Sequence, residues 1–323
     1  MDLKTLQERQ NWTLDQKIYH SLEVIDNFIA RMNGKVYVAW SMGKDSCVLV
    51  DLVRRVKPDV TCVFVNTGCE YPDLVYFARE QQKKIELGGG KLLIIRPLLT
   101  PKQVWAKYGF PLVSKEVGEN VHTIRINPNC IKSKKALGLI NPDSRFKLAK
   151  RWRYLIDEPY HTSNMCCDKL KKEPSHRIAK QYGLAPILGT LASESQLREK
   201  TYIRRGGCNV FGDTIEKSSS LPLSIWTDKD IWDYIKKYKV EIPKIYYGCV
   251  ERTGCVGCAM GAYHNDDVRF DLLYHYYPKY YKAIMNYTNN GVTYREAVRK
   301  MLAVTGKVLP DEQFIQQTNL FEQ

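Results

Sequence analysis

KVYVAWSMGKDS, residues 35–46, runs from an apolar stretch into a turn of small and charged residues. Val36 to Trp40 have the near-continuous apolar character of a buried parallel strand. Cys47 to Val56, apolar apart from Asp51, Arg54 and Arg55, predicts a helix directly after the turn. Such a junction suits an anion: the first N–H groups of a helix have no intrahelical acceptor, the macrodipole adds partial positive charge, and Gly43 lets a phosphate approach the backbone. Ser41 and Ser46 add hydroxyls and Lys44 a full charge. The pattern is not a Walker loop, which needs Ser or Thr after the lysine where this chain has Asp45. A turn and helix cap that merely contains Gly and Lys is the plainer alternative, with Asp45 as a cap or as a metal holder. The next apolar run, Val60 to Val65, ends in the same manner, in NTGCEYP (66–72). In an open parallel sheet both strand ends would face one crevice.

Composition narrows the class. The chain has 323 residues, 44% of them hydrophobic, which is enough for a sizeable core, and lacks an apolar run long enough to cross a membrane. MDLKTLQERQNW at the start has no apolar signal region, so a cytoplasmic protein is expected. Lys and Arg number 49 against 35 Asp and Glu, leaving +14, which favours an anionic partner. Lys132, Lys134, Lys135, Arg145, Lys147, Lys150, Arg151 and Arg153 cluster around Trp152 and Tyr154. Phosphates could meet these charges while unpaired bases stack on the rings; a solvated helix face or a wall of a nucleotide pocket explains them equally well.

Three consecutive segments are expected. Residues 1–34 read as a helical segment, with Leu14, Ile18, Leu22, Ile25 and Ile29 on one face and Asn33-Gly34 as its stop. Residues 35–240 alternate strand-like runs (36–40, 60–65, 92–96, 186–190 and 221–225) with amphipathic stretches, the signature of an α/β fold with a doubly wound, mainly parallel, five-stranded sheet. Residues 100–165 form a helical insertion within it. Residues 241–323 carry cysteines and then tyrosine-rich helices, a further subdomain.

Ten cysteines in this chain include an adjacent pair and a CxxC, a distribution that suits metal or redox use better than a secreted disulfide framework. Cys255 and Cys258, flanked by Gly254 and Gly257, can reach one metal. Cys249 lies just upstream, and Cys166 or Cys167 could complete a set of four. Cys47, Cys62, Cys69, Cys130 and Cys208 read as core or loop thiols.

SMGKDS followed by NTGCEYPD resembles the SGGKDS and DTGxxFPE pair of the PP-loop ATP pyrophosphatases, in the phosphoadenosine-phosphosulfate reductase-like branch of the adenine nucleotide alpha-hydrolase fold. The likeness continues through CCDKLKKEP (166–174), similar to CCxxxKxxP; GTLASESQLR (189–198), similar to GxRxxES..R; Pro222 to Tyr247, similar to "PL..WT..DIW.YI....P...Y"; and GCVGC (254–258). It is closest in features to DNA-phosphorothioation-type and phage-type members with an iron–sulfur cysteine set. The resemblance implies ATP and Mg2+, with the pyrophosphate on Ser41, Met42, Gly43, Lys44, Asp45 and Ser46, of which Lys44, Asp45 and Ser46 would act in catalysis. Asn66, Thr67 and Gly68 would border the adenosine, while Gly189, Glu194, Ser195 and Arg198 would close the site. It also implies a [4Fe-4S] cluster on Cys166, Cys249, Cys255 and Cys258, with Cys167 as the alternative ligand and zinc as the alternative metal. Two positions depart from the pattern. Leu191 stands where GxR has arginine, and Met42 replaces glycine, which a right-handed backbone would tolerate.

Two chemistries compete. A sulfonucleotide reductase attacks the sulfur of a phosphosulfate with a thiolate, and the attacking residue of that family belongs to a tail similar to ECGxH. KVLPDEQFIQQTNLFEQ (307–323) contains no cysteine, and Cys69 and Cys208 are the conceivable substitutes. The reading this favours is an ATP pyrophosphatase that adenylates an acceptor for sulfur insertion. DNA or tRNA would be the leading acceptor, a cysteine desulfurase or other source the sulfur donor, and a homo-oligomer or modification complex the assembly. The alternatives are a reductase releasing sulfite and a non-catalytic nucleotide- or redox-sensing subunit.

Overall fold

The structure, a computed structural model, describes residues 2–142, 144, 146–248 and 250–313. The chain forms two compact units, Met1–Asn66 with Glu70–Pro97 and Lys172–Thr253, and Thr67–Cys69 with Leu98–Lys171 and Gly254–Gln323. This partition cuts across the three consecutive segments suggested by the sequence: the 100–165 insertion falls in the same unit as the C-terminal cysteine-bearing stretch. Among the described residues no helix is long and apolar enough to cross a membrane.

The first unit is built on six strands: β1 (Val36–Ala39), β2 (Thr61–Val65), β3 (Lys91–Ile95), β4 (Ala185–Leu188), β5 (Asn209–Val210) and β6 (Ser219–Ser220), in the order β3-β2-β1-β4-β6-β5. All neighbours are parallel except β5 and β6. Tyr37 lies opposite both Thr61 and Pro186. Side chains alternate across the sheet: Tyr37 and Val63 pack on Ile178 and Ala179 of the helix Glu173–Tyr182, whereas Val36, Val38, Cys62 and Phe64 are buried toward the other face. Burial on both faces is why β1 reads as an unbroken apolar run. The order turns back at β1, with β2 on one side and β4 on the other, so the switch point for a ligand lies beyond the carboxyl ends of β1 and β4.

Two expectations are corrected. The N-terminal segment is two helices, Leu3–Gln10 and Leu14–Arg31, because Thr13 and Gln16 form a reciprocal capping box that starts the second one afresh. Residues 221–225 are not a strand. Pairing ends at Ser220, and the run folds into turns in which Ser224 donates to the Leu221 carbonyl at 3.1 Å and Trp226 to that of Leu223 at 3.0 Å. Pro222 cannot donate to a ladder, and a short, mainly apolar run does not distinguish a buried turn from a strand.

The second unit is mostly helical. Leu112–Val113 pairs in parallel with Ala259–Met260, and Trp105, Phe110, Tyr160 and Tyr294 form an aromatic core with centroid separations of 4.6–6.3 Å. The Asn289 amide ties it together, donating to the carbonyls of Trp105 (2.9 Å) and Ala106 (2.8 Å) and accepting from the His161 N–H (2.8 Å).

Candidate active site

The turn after β1 is in the first unit. Trp40 continues the sheet, donating from its backbone to the Val63 carbonyl at 2.9 Å, and its indole donates to Cys47 Sγ at 3.3 Å. Met42 is buried with φ +63°, so the right-handed backbone under which it would freely replace glycine is not the one adopted, and the left-handed one costs a residue with a Cβ about 1–2 kcal/mol. Burial of its side chain offsets that strain. Gly43 is the N-cap of the helix Lys44–Val56 and supplies no capping side chain. A Cβ there would come within 3.3 Å of Tyr246 Oη and 3.4 Å of Ser41 Oγ. Ser46 Oγ donates to the Gly43 carbonyl at 2.7 Å and lies 3.1 Å from Ser41 Oγ, so the two hydroxyls brace the turn.

Lys44 is 3% exposed. Its ammonium donates to Asp228 Oδ1 at 2.5 Å and Asp45 Oδ1 at 3.0 Å, and lies 5.8 Å from the centre of the Trp232 ring. Burial works against the charge, but the bonds to Asp228 and Asp45 outweigh it and hold the ammonium above its ordinary pKa. The Lys44 N–H donates to Tyr246 Oη at 3.2 Å, and that hydroxyl lies 2.8 Å from Thr253 Oγ1. Asp228, Trp232, Tyr246 and Thr253 were not among the site residues expected from the sequence. The one signal was the "WT..DIW" likeness, which spans Asp228 and Trp232 but does not say what they touch.

Beyond β4, a Cβ on Gly189 would lie 3.4 Å from the backbone of both Asp45 and Ser46, so this glycine permits close packing on the helix start. Glu194 pairs with Arg252 at 3.0 Å and with Arg198, and Ser195 caps the helix Gln196–Arg205 by accepting the Arg198 N–H at 3.3 Å. Arg198 is lowered from the usual guanidinium range by burial and by repulsion from Arg252, with Asp45 opposing the shift. Two guanidinium groups and a lysine thus gather near Asp45. Leu191 is 1% exposed and takes part only in core packing. Asn66 ends β2, its N–H donating to the Ile95 carbonyl at 2.8 Å. Thr67 and Gly68 belong to the second unit, where Thr67 Oγ1 accepts the Cys69 N–H at 3.0 Å.

The cysteines expected to bind metal also lie in the second unit, except that Cys249 falls outside the described residues. Cys166 and Cys167 sit where a short helix, Met165–Cys167, passes into the π-turn Asp168–Lys172. Cys166 is pushed up by its hydrogen bond to Cys167, by burial and by the Cys258 and Cys255 thiols; Cys167 is lowered to about 6 by that same bond and by Lys115 and Lys171, against burial. Burial, with Cys255 and Cys167 nearby, pushes Cys258 up to about 11. The CxxC turn is held from three sides. Cys258 N–H donates to the Cys255 carbonyl at 3.2 Å, Tyr294 Oη to the Gly257 carbonyl at 2.6 Å, and Arg269 to the Cys258 carbonyl at 2.8 Å. The four thiols feel one another, yet among the described residues no group of three or more His, Cys, Asp or Glu side chains is drawn into a metal-ligating arrangement.

The chain resembles an adenosine 5'-phosphosulfate reductase of Lysinibacillus sphaericus, 24% identical over 261 residues, which cover 80% of this chain and 88% of that protein. Among solved structures it resembles the phosphoadenylyl-sulfate reductase of Candida auris in a phosphate complex, at a TM-score of 0.44 and 14% identity, covering 79% of this chain and 96% of that one. It also resembles the U34-tRNA thiolase NcsA of Methanococcus maripaludis with its [4Fe-4S] cluster, at a TM-score of 0.40 and 13% identity, covering 83% and 77%. The expectation of an ATP-cleaving, adenylating enzyme is corrected by these relatives: the enzymes that align with most of the chain at 22–24% identity are repeatedly adenosine 5'-phosphosulfate reductases. The phosphoadenosine phosphosulfate reductase domain family matches residues 35–125 and 144–260, a span that takes in the turn 41–46, the β4 end and both cysteine pairs, and the chain belongs to that family.

Proposed function

We propose that the protein is a sulfonucleotide reductase acting on adenylyl sulfate or its 3'-phosphorylated form. The observation that carries this reading is the turn 41–46, where a helix start whose N-cap Gly43 supplies no side chain, two bracing hydroxyls and the buried Lys44 ammonium meet at the switch point of the sheet. The likeness to adenosine 5'-phosphosulfate reductases over most of both chains supports sulfate, rather than a third phosphate, as the group that reacts. In the reaction a thiolate attacks the sulfate sulfur, the sulfur–oxygen bond to phosphate breaks, and AMP, or adenosine 3',5'-bisphosphate from the 3'-phosphorylated form, leaves. A second thiol then attacks the S-sulfonated thiol, forming a disulfide and expelling sulfite. Two electrons pass from two thiols to sulfur. Lys44 and the helix N–H groups would neutralise charge on the phosphate leaving group, and Arg198 and Arg252, paired with Glu194, are the donors proposed for the sulfate oxygens.

Among the described residues of the first unit, Cys47, Cys62 and Cys208 are poor candidates for the attacking thiolate. Burial pushes Cys47 and Cys62 up to about 12 and Cys208 up to about 11, so all three are protonated thiols at neutral pH and poor nucleophiles. A dithiol reductant, or a cysteine elsewhere, must supply it.

An iron–sulfur cluster suits the second unit's thiols. The donor set is all sulfur, the thiols perturb one another's ionisation, and a π-turn and a braced CxxC present them. Cys166, Cys167, Cys255 and Cys258 are the residues that would hold it. When bound, such a cluster supplies a one-electron centre whose potential follows its charge, hydrogen bonding and exposure.

Equilibrium binding tests the site. Adenylyl sulfate should bind the anaerobic protein more tightly than AMP does, and Lys44→Ala should weaken it by about tenfold or more. Equal affinity for AMP and adenylyl sulfate, or no effect of Lys44→Ala, would remove the turn from the reading.

A further inference from the structure

We infer that the second unit carries a binding surface for single-stranded nucleic acid formed by Lys132, Lys134, Lys135, Phe146, Lys150 and Arg151, an inference that does not rest on the proposed reaction. Between Asn120 and Ile156 the chain holds nine Lys and Arg against a single Asp, so these residues carry +8 of the molecule's +14. The fold draws the charges together. The helix Ile131–Leu137 and the 3-10 helix Lys150–Ile156 both pack on the helix Lys115–Ile126. Leu148 N–H donates to the Ala136 carbonyl at 2.8 Å and Arg153 to that of Leu137 at 2.9 Å, which stitches the two charged stretches side by side.

Arg125 and Arg153 spend their guanidinium groups on backbone carbonyls. Lys132, Lys134, Lys135, Lys150 and Arg151 are exposed. Of these only Lys132 is ion-paired among the described residues, with Glu119. Arg151 lies over Trp152 at 5.2 Å and Tyr263 at 5.7 Å from the ring centres, which holds its guanidinium as a fixed plane. Set among the charges are outward apolar side chains: Ile131 is 68% exposed, Leu139 70% and Phe146 54%.

Each feature narrows the partner. Unscreened like charges at this density favour a polyanion. Interfaces between proteins are depleted in lysine, whereas four of the five exposed cations here are lysines, which favours phosphates over an acidic protein. Exposed apolar side chains between the cations have nothing to meet on the phosphate rim of a duplex. The unpaired bases of a single strand can stack on Phe146 and on the Arg151 plane while the phosphates meet the lysines.

The test is fluorescence anisotropy of the full chain, purified anaerobically, with a labelled single strand of about 20 nucleotides, the matching duplex, and poly-glutamate as competitor. With about four phosphate contacts, each worth about 0.7 in the log–log salt slope, affinity for the strand should fall about fiftyfold between about 50 and 200 mM salt. Lys134→Glu with Lys135→Glu should weaken binding about tenfold or more and lower the slope by about 1.4. Phe146→Ala should weaken it about fivefold with the slope unchanged. Thermal unfolding at the parent temperature would show that the variants are folded. Equal affinity for the duplex, displacement by poly-glutamate at equal charge, no binding at low salt, or indifference to the lysine pair would each overturn the inference.

Discussion

Lys44 is an ammonium with three protons, 3% exposed, and two carboxylates already holding it. In the proposed reaction an incoming phosphate or sulfate would share or displace Asp45 or Asp228. The lysine's place at the first turn of a helix after β1 was legible, because an apolar run and an amphipathic stretch flank it. Its partner was not: Asp228 reaches it only through the fold, and single-sequence reading assigns no contact across such a distance. Met42 was misread for a related reason, since only the closed turn forces its backbone to φ +63°. A second buried lysine escaped notice altogether. Lys17 is 1% exposed and donates to Asp230 at 2.6 Å and to the Gln10 carbonyl at 2.7 Å. Replacing it by methionine strands the buried Asp230 carboxylate and should cost about 3–5 kcal/mol, read as a lower denaturant midpoint; an unchanged midpoint would mean that water reaches Asp230.

Among the elements, β1 to β4 were legible because burial on both faces writes itself as apolar runs. The short strands β5 and β6 were not, since two residues carry no period. The cysteine turn was legible as CxxC, but not the residues that fix it: Tyr294 and Arg269 act on backbone carbonyls, and any side chain of suitable length could do so. A close approach between elements decides one glycine. Gly109 ends the helix Pro101–Tyr108 with φ +101°, and a Cβ there would lie 2.3 Å from the His161 carbonyl oxygen, the same oxygen that accepts the Phe110 N–H at 2.8 Å. Gly109→Ala should therefore destabilise the second unit by more than about 2 kcal/mol. Fluorescence of Trp105 and Trp152 during denaturation would read it, and a loss below about 0.5 kcal/mol would show that the His161 strand yields freely.

For the molecule as a whole, composition announced a basic α/β protein, and the charge proved to be concentrated in one stretch of the second unit. The division into units could not be read from the sequence, since each is assembled from three separated stretches of chain. Family likeness picked out the turn 41–46 and the cysteines as candidates, whereas the reaction first inferred from the tail gave way to the relatives' reductase chemistry. If the cysteines hold an iron–sulfur cluster, anaerobic protein should contain about four iron per chain and Cys258→Ser should lose most of it; iron retained at the parent level would exclude Cys258 as a ligand. The central claim, reduction of a sulfonucleotide at the β1 turn, is tested most directly by sulfite. Anaerobic protein given a dithiol and adenylyl sulfate, or its 3'-phosphorylated form, should release sulfite and, in equal amounts, AMP or adenosine 3',5'-bisphosphate respectively, with Lys44→Ala slower by about a hundredfold or more. Pyrophosphate from ATP, with no sulfite from either sulfonucleotide, would contradict it.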